Sequence, residues 1–127
     1  MFSASISEQK RWTLLEHIGA PDDKEGRHFD FLLEDVNDCR SWRLRKMLVL
    51  DGPIQEAFPL SAHSLEWLEI TQRAVSGGRG FARRVIGGWF SGKLPKNHAE
   101  IVRIQLHSNE VSGYLEINNF QVKFCSL

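Results

Sequence analysis

Apolar and polar positions alternate along this chain in short runs, and nowhere do they keep the 3.6-residue period of a capped helix. The most informative run is His28-Phe29-Asp30-Phe31-Leu32-Leu33-Glu34. As a strand it turns Phe29, Phe31 and Leu33 to an apolar core face, and His28, Asp30, Leu32 and Glu34 to the opposite face. Trp12-Thr13-Leu14-Leu15-Glu16-His17 predicts a strand over 11–17. The turn chemistry of Asp35-Val36-Asn37-Asp38 predicts that 39–44 returns as a hairpin partner. Further strands are expected over 65–70, where apolar and acidic residues alternate, and over 81–89, broken at Gly87-Gly88. Residues 100–107 alternate cleanly, 111–117 return after Ser108-Asn109-Glu110, and 121–124 add a last short strand. Phe58-Pro59-Leu60 is excluded from a central strand, because proline lacks the donor that a ladder needs.

These runs predict about eight short strands with little helix: an all-β domain, either a small barrel or a sandwich. Residues 1–10 read as a loose N-terminal arm, and 1–127 as a single domain without repeat or linker. Ser76-Gly77-Gly78-Arg79-Gly80 leads into a strand-like run. A phosphate-cradling loop would lead into a helix, so a bulge or tight turn is the better account.

Composition narrows the picture modestly. At 127 residues, 42% hydrophobic, the chain closes a core without staples. Cys39 and Cys125 lie far apart with no CxxC spacing, which argues against a thiol metal site and for reduced cysteines in a cytoplasmic protein. The first eight residues lack the basic start and apolar run of a signal peptide, and no stretch approaches the roughly 20 apolar residues that span a bilayer. Sixteen basic residues balance sixteen acidic ones, so overall charge makes no case for nucleic acid. Two clusters, Arg40, Arg43, Arg45 and Lys46, then Arg79, Arg83 and Arg84, suit either phosphate or a solvated face.

The candidate chemistry lies on the polar face of the 28–34 strand. His28 and Asp30, about 7 Å apart at Cα, suit either a hydrogen-bonded pair or two ligands converging on one divalent metal. His17 would supply a third ligand if the first two strands pair. Two imidazoles and a carboxylate leave coordination positions free for water or a phosphate oxygen, as a catalytic site requires.

One ordered series of sparse motifs runs through residues 11–117. It consists of His17, the 28–34 run, Ser41-Trp42, His63-Ser64-Leu65-Glu66-Trp67, Ser76-Gly77-Gly78-Arg79-Gly80 and Val111-Ser112-Gly113-Tyr114-Leu115. It resembles the 3'-phosphoesterase domain of bacterial DNA ligase D and its free-standing relatives. The resemblance implies a compact, closed or partly open β-barrel of eight strands, with a crevice that holds a divalent metal, usually manganese; zinc has equally suitable ligands here. It implies removal of a 3'-phosphate or 3'-ribonucleotide from DNA ends in repair, on a primer-template and beside a ligase or polymerase partner. By resemblance the metal ligands are His17, His28 and Asp30, and His63 contacts the scissile phosphate from the opposite side. Lys46 falls on the family's catalytic lysine. The family has arginine where Leu32 stands, another near Glu56, and tyrosine where Trp67 stands. Arg43, Arg79 and Arg84 are therefore the replacement phosphate ligands to look for. A chain without such replacements would be a catalytically weakened metal- and nucleic-acid-binding module of the same fold.

Overall fold

The computed structural model describes residues 9–127, so the expected arm lies outside the described residues except for its last two, and Lys10 already opens the first strand. Nine antiparallel strands follow: β1 Lys10–Ile18, β2 Arg27–Glu34, β3 Cys39–Leu44, β4 Gln55–His63, β5 Gln72–Ala74, β6 Phe81–Ser91, β7 Val102–His107, β8 Ser112–Asn118 and β9 Gln121–Cys125. Their order is β1-β2-β3-β4-β9-β8-β7-β6-β5, and β1 also pairs with β6. That second pairing closes eight strands into a ring and leaves β5 as a flap on β6. The fold is all-β, a partly open barrel. Among the described residues no helix is long and apolar enough to cross a membrane.

The opening is at the β4–β9 seam. Only Gln55↔Val122 and Glu56↔Gln121 pair there, with one more bond from the Ala57 N–H to the Phe120 carbonyl at 2.8 Å. From Phe58 onward β4 has, among the described residues, only β3 beside it, with Pro59 opposite Trp42. An edge position tolerates proline. The proline argument thus holds locally, although the segment it falls in is a strand.

The interior follows from alternation. Trp12 and Leu14 of β1, Phe29, Phe31 and Leu33 of β2, and Trp42 and Leu44 of β3 meet Ile104, Leu106, Leu115 and Phe124 from the opposite wall. Gly87 and Gly88 do not break β6, as the sequence suggested; they let it pass between two neighbours. A Cβ at Gly87 would stand 2.8 Å from the Trp12 carbonyl oxygen, and one at Gly88 would overlap that of His107. Here β6 runs between β1 and β7, and only glycine fits so close an approach.

One expected strand is not formed. Residues 65–70 hold a 3-10 turn, Leu65–Leu68, in place of a strand. Leu65 and Leu68 are three apart, so a tight turn puts both on one side. They pack on Leu15, Leu32 and Cys39, on the outer face of the first three strands. The same apolar spacing satisfies either conformation locally, and this outer layer decides between them. The glycine-rich segment at 76–80 is a tight turn, as expected, joining β5 to β6 and closed by a Val75 N–H bond to the Gly80 carbonyl at 2.8 Å.

Candidate metal centre

Register brings the three expected ligands together. β1 and β2 pair with His17 opposite His28 and Leu15 opposite Asp30, and directly opposed residues share a face. Nitrogen and oxygen atoms of His17, His28 and Asp30, one from each residue, all lie within 4.8 Å of one another. The face is the outer one, away from the apolar interior, and the 65–68 turn and the β5 flap flank it. His28 is fully buried and Asp30 nearly so.

The outward nitrogen of each imidazole is already engaged. His17 Nε2–H donates to the Arg79 carbonyl at 2.7 Å, and His28 Nδ1–H donates to Asp23 Oδ2 at 2.8 Å. These partners assign the tautomers, so the remaining lone pairs, on His17 Nδ1 and His28 Nε2, face Asp30. His17 Nδ1 is 3.4 Å from Asp30 Oδ2, and His28 Nε2 is 3.2 Å from Asp30 Oδ1. His28 Nε2 and Asp30 Oδ1 are both buried without a hydrogen-bond partner. Buried acceptors converging on acceptors are costly unless a proton, a water or a metal cation lies between them. The donor set therefore fits a divalent metal on two imidazoles and a carboxylate.

The electrostatics agree. Burial raises the Asp30 pKa, but the positive charge that the facing His17 and His28 imidazoles, and His63, take on when doubly protonated more than offsets it, so the carboxyl stays ionised well below the usual range. Asp30 raises the pKa of His17, against its partial burial, because it accepts a hydrogen bond from Nδ1 once that nitrogen is protonated; a second proton and a metal therefore compete for the same position. Asp23 is held down to about 2, first by His28 and then by Arg45, whose Nη1 lies 3.0 Å from Oδ1. Asp23 comes from the long 19–26 loop. Bonds from Gly19 N–H to the Gly26 carbonyl and from Asp23 N–H to the Ala20 carbonyl, both 3.0 Å, fold that loop back onto β2. The loop between the first two histidines thus supplies the carboxylate that orients His28.

In front of the three ligands is a cleft of about 670 Å³ whose lining includes His17, Asp30, Arg43, His63, Trp67, Arg73 and Arg79. His63 reaches it through a bulge. Ser41 pairs with Leu60, but Cys39 pairs with His63 rather than Ala62, so one extra β4 residue turns the imidazole to the cleft face. Burial lowers the His63 pKa, only partly opposed by Asp30, and its buried Nδ1 has no partner.

Arg43 stands opposite Asp30 in the β2–β3 register and lines the cleft, held by exposed Asp22 at 3.3 Å. Arg79 is also at the cleft, its Nε bonded to the Ser76 carbonyl at 2.7 Å. Arg84 is not. Its Nη2 donates to the Leu68 carbonyl, so it anchors the covering turn. Lys46 is not brought to the cleft either. It lies past the end of β3, where the Gln55 side chain bonds its backbone N–H and carbonyl at 3.0 Å each, and it lines a second pocket with Glu56. Leu32 faces the same way as Asp30 but is closed beneath Leu65 and Leu68.

Two site residues had no signal in the sequence. Asp23 is one of four charged residues in a row. Arg73 lines the cleft from a three-residue strand, beside Glu66 at 3.0 Å and 5.6 Å from the centre of the Trp67 ring. Compared with models of known protein families and with curated proteins, the chain matches none.

Proposed function

We propose that the protein is a metal-dependent phosphoesterase acting on the 3' ends of DNA. The observation that carries this reading is the convergence of His17 Nδ1, His28 Nε2 and the Asp30 carboxylate beside an open cleft that Arg43, Arg73 and Arg79 line together with Asp22 and Glu66. His17, His28 and Asp30 would hold the metal. When bound it would act as a Lewis acid on a phosphate oxygen and make a water acidic enough to attack at neutral pH. The chain's own residues supply the rest. Asp23 and the Arg79 carbonyl fix the two imidazoles. Arg43, Arg73 and Arg79 orient the phosphate; Arg43 and Arg73 exchange their exposed partners Asp22 and Glu66 for it, since surface ion pairs contribute little. His63, its pKa raised again by a bound anion, carries the proton to or from the ester oxygen. The restriction to DNA 3' ends, and manganese as the metal, come from the resemblance of the motif series to the ligase D phosphoesterase domain.

The test incubates protein and manganese with a DNA primer-template ending in a 3'-phosphate or a 3'-ribonucleotide, beside His28→Ala. Release of the end group by the wild type and its loss in the variant support the reading. No release by the wild type refutes it. Leu32 favours a second reading, a binding module. An apolar residue sealed under the 65–68 turn supplies no phosphate contact, and metal uptake without turnover is that reading's outcome.

A further inference from the structure

The second pocket continues the candidate metal centre, and we infer that it is the subsite for the nucleotide preceding the scissile phosphate. This inference rests on the reading just proposed and extends it from a reaction to a substrate: a strand with at least one unpaired nucleotide at its 3' end.

Arg43 carries the connection. It lines both pockets, and its register partners are Asp30 on one side and Phe58 on the other. Leu15, Asp30, Arg43 and Phe58 therefore form one row across four strands on a single face of the sheet. A polynucleotide leaving the metal centre along that row crosses a guanidinium and then meets an aromatic ring. The second pocket, about 450 Å³, is lined by apolar side chains and by Arg43, Arg45, Lys46 and Glu56; Arg43 also holds Asp22, and Arg45 holds Asp23 and Glu25. Phe58 (53% exposed), Ile54 (55%) and Val49 (56%) leave their apolar surface in water at this one place. Core formation gives no reason for that, whereas a stacked base would cover it. It also gives Lys46 a role that its distance from the cleft otherwise denies it, as a contact to the next phosphate along the strand. The cations choose the occupant: Lys46 has no ion-pair partner among the described residues and Arg43 holds only exposed Asp22, so an apolar peptide would leave both facing apolar surface.

The test is fluorescence anisotropy with a short labelled single strand ending in a 3'-phosphate, in manganese, for wild type, Phe58→Ala, Phe58→Trp and Lys46→Ala. Phe58 is half exposed on a strand edge, so these variants fold. Expected are binding by the wild type, about tenfold weaker binding for Phe58→Ala, and rescue by Phe58→Trp. For Lys46→Ala, the slope of log Kd against log salt becomes shallower by about 0.7. Wild-type affinity in Phe58→Ala, or no binding of the strand at all, overturns the subsite. Turnover by the wild type with binding indifferent to Phe58 removes the subsite alone. Phe58-dependent binding without turnover removes the phosphoesterase reading and leaves the subsite in place.

Discussion

Strands β2 and β8 are built to the same pattern and put to different uses. In β8 Leu115 and Ile117 enter the barrel while Tyr114 and Glu116 face outward, half in water. In β2 Phe29, Phe31 and Leu33 enter the barrel, yet the outward residues His28, Asp30 and Leu32 are as buried as the inward ones. The difference is the cover laid over the outer face of β2: the 65–68 turn, the β5 flap and the 19–26 loop. Polar groups on an open face are solvated at no cost, whereas under a cover each must find a partner. His28 of β2 finds Asp23 and His17 of the neighbouring β1 finds the Arg79 carbonyl, while His28 Nε2 and Asp30 Oδ1 are left unmatched. A buried polar row on the outside of the barrel thus marks the wall that carries the candidate site, and an exposed one marks the wall that encloses the core.

The strongest way to break this comparison is to put the same charge on both walls. Leu32→Arg places a guanidinium among Leu15, Cys39, Leu65 and Leu68, with no exit to water. It should lower stability by about 3–5 kcal/mol, the cost of an uncompensated buried charge. Gln105→Arg, on the exposed face of β7, should stay within about 0.5 kcal/mol. Urea unfolding of the two variants measures the gap. Equal midpoints would mean that the cover over β2 is not a packed layer. The residue that the resemblance suggests restoring is thus one this chain cannot accept without lifting its covering turn.

A milder perturbation acts through the loop. Asp23→Asn keeps the size of the side chain but removes the charge that holds His28 Nδ1–H, so either tautomer of His28 becomes accessible. Metal affinity measured by calorimetry should fall by about 10–100-fold, as for other carboxylates behind a ligating imidazole. The variant also has a pH signature. The folded-state pKa of Asp23, about 2, lies below its ordinary value of 3.8. The ionised group therefore stabilises the fold fully above about pH 4 and loses that contribution as pH falls through 2. The stability difference between wild type and Asp23→Asn in metal-free protein should be widest near neutral pH and close toward pH 2. A constant difference would assign the effect to shape rather than charge.

How much of this was legible follows from the same comparison. On the enclosing wall, each side-chain position reports one environment, so the alternation of 100–107 and 111–117 reads correctly. On the wall that carries the candidate site, strand positions could be read but their covering could not. His28 and Asp30 share a face by strand geometry alone, and His17 joins them once β1 and β2 pair in register. The cover was opaque for separate reasons. Leu65 and Leu68 fit a strand as well as a turn until a second layer claims both. Asp23 is indistinguishable from Asp22, Lys24 and Glu25 until the loop folds. His63 reaches the cleft face only through the bulge between Cys39 and Ser41. Lys46 was placed by resemblance to the family's lysine, but β3 ends at Leu44 and Lys46 lines the second pocket beyond it.

The smallest expected effect is on the enclosing wall itself. Glu116 accepts a hydrogen bond from the Tyr114 hydroxyl at 3.0 Å and lies 3.3 Å from Arg103 Nε, a constellation that would look functional in a pocket. Its pKa is lowered, first by Tyr114, against slight desolvation. Here it stands on an open strand face, where water replaces either partner, and Arg103 is largely exposed. Glu116→Gln keeps an acceptor for Tyr114 and removes only a screened charge. It should change stability by less than about 0.5 kcal/mol, lose even that difference in molar salt, and leave metal uptake unaltered. A loss comparable to that of Asp23→Asn would mean that hydrogen-bonded carboxylates matter equally on both walls, and that burial is not what separates them.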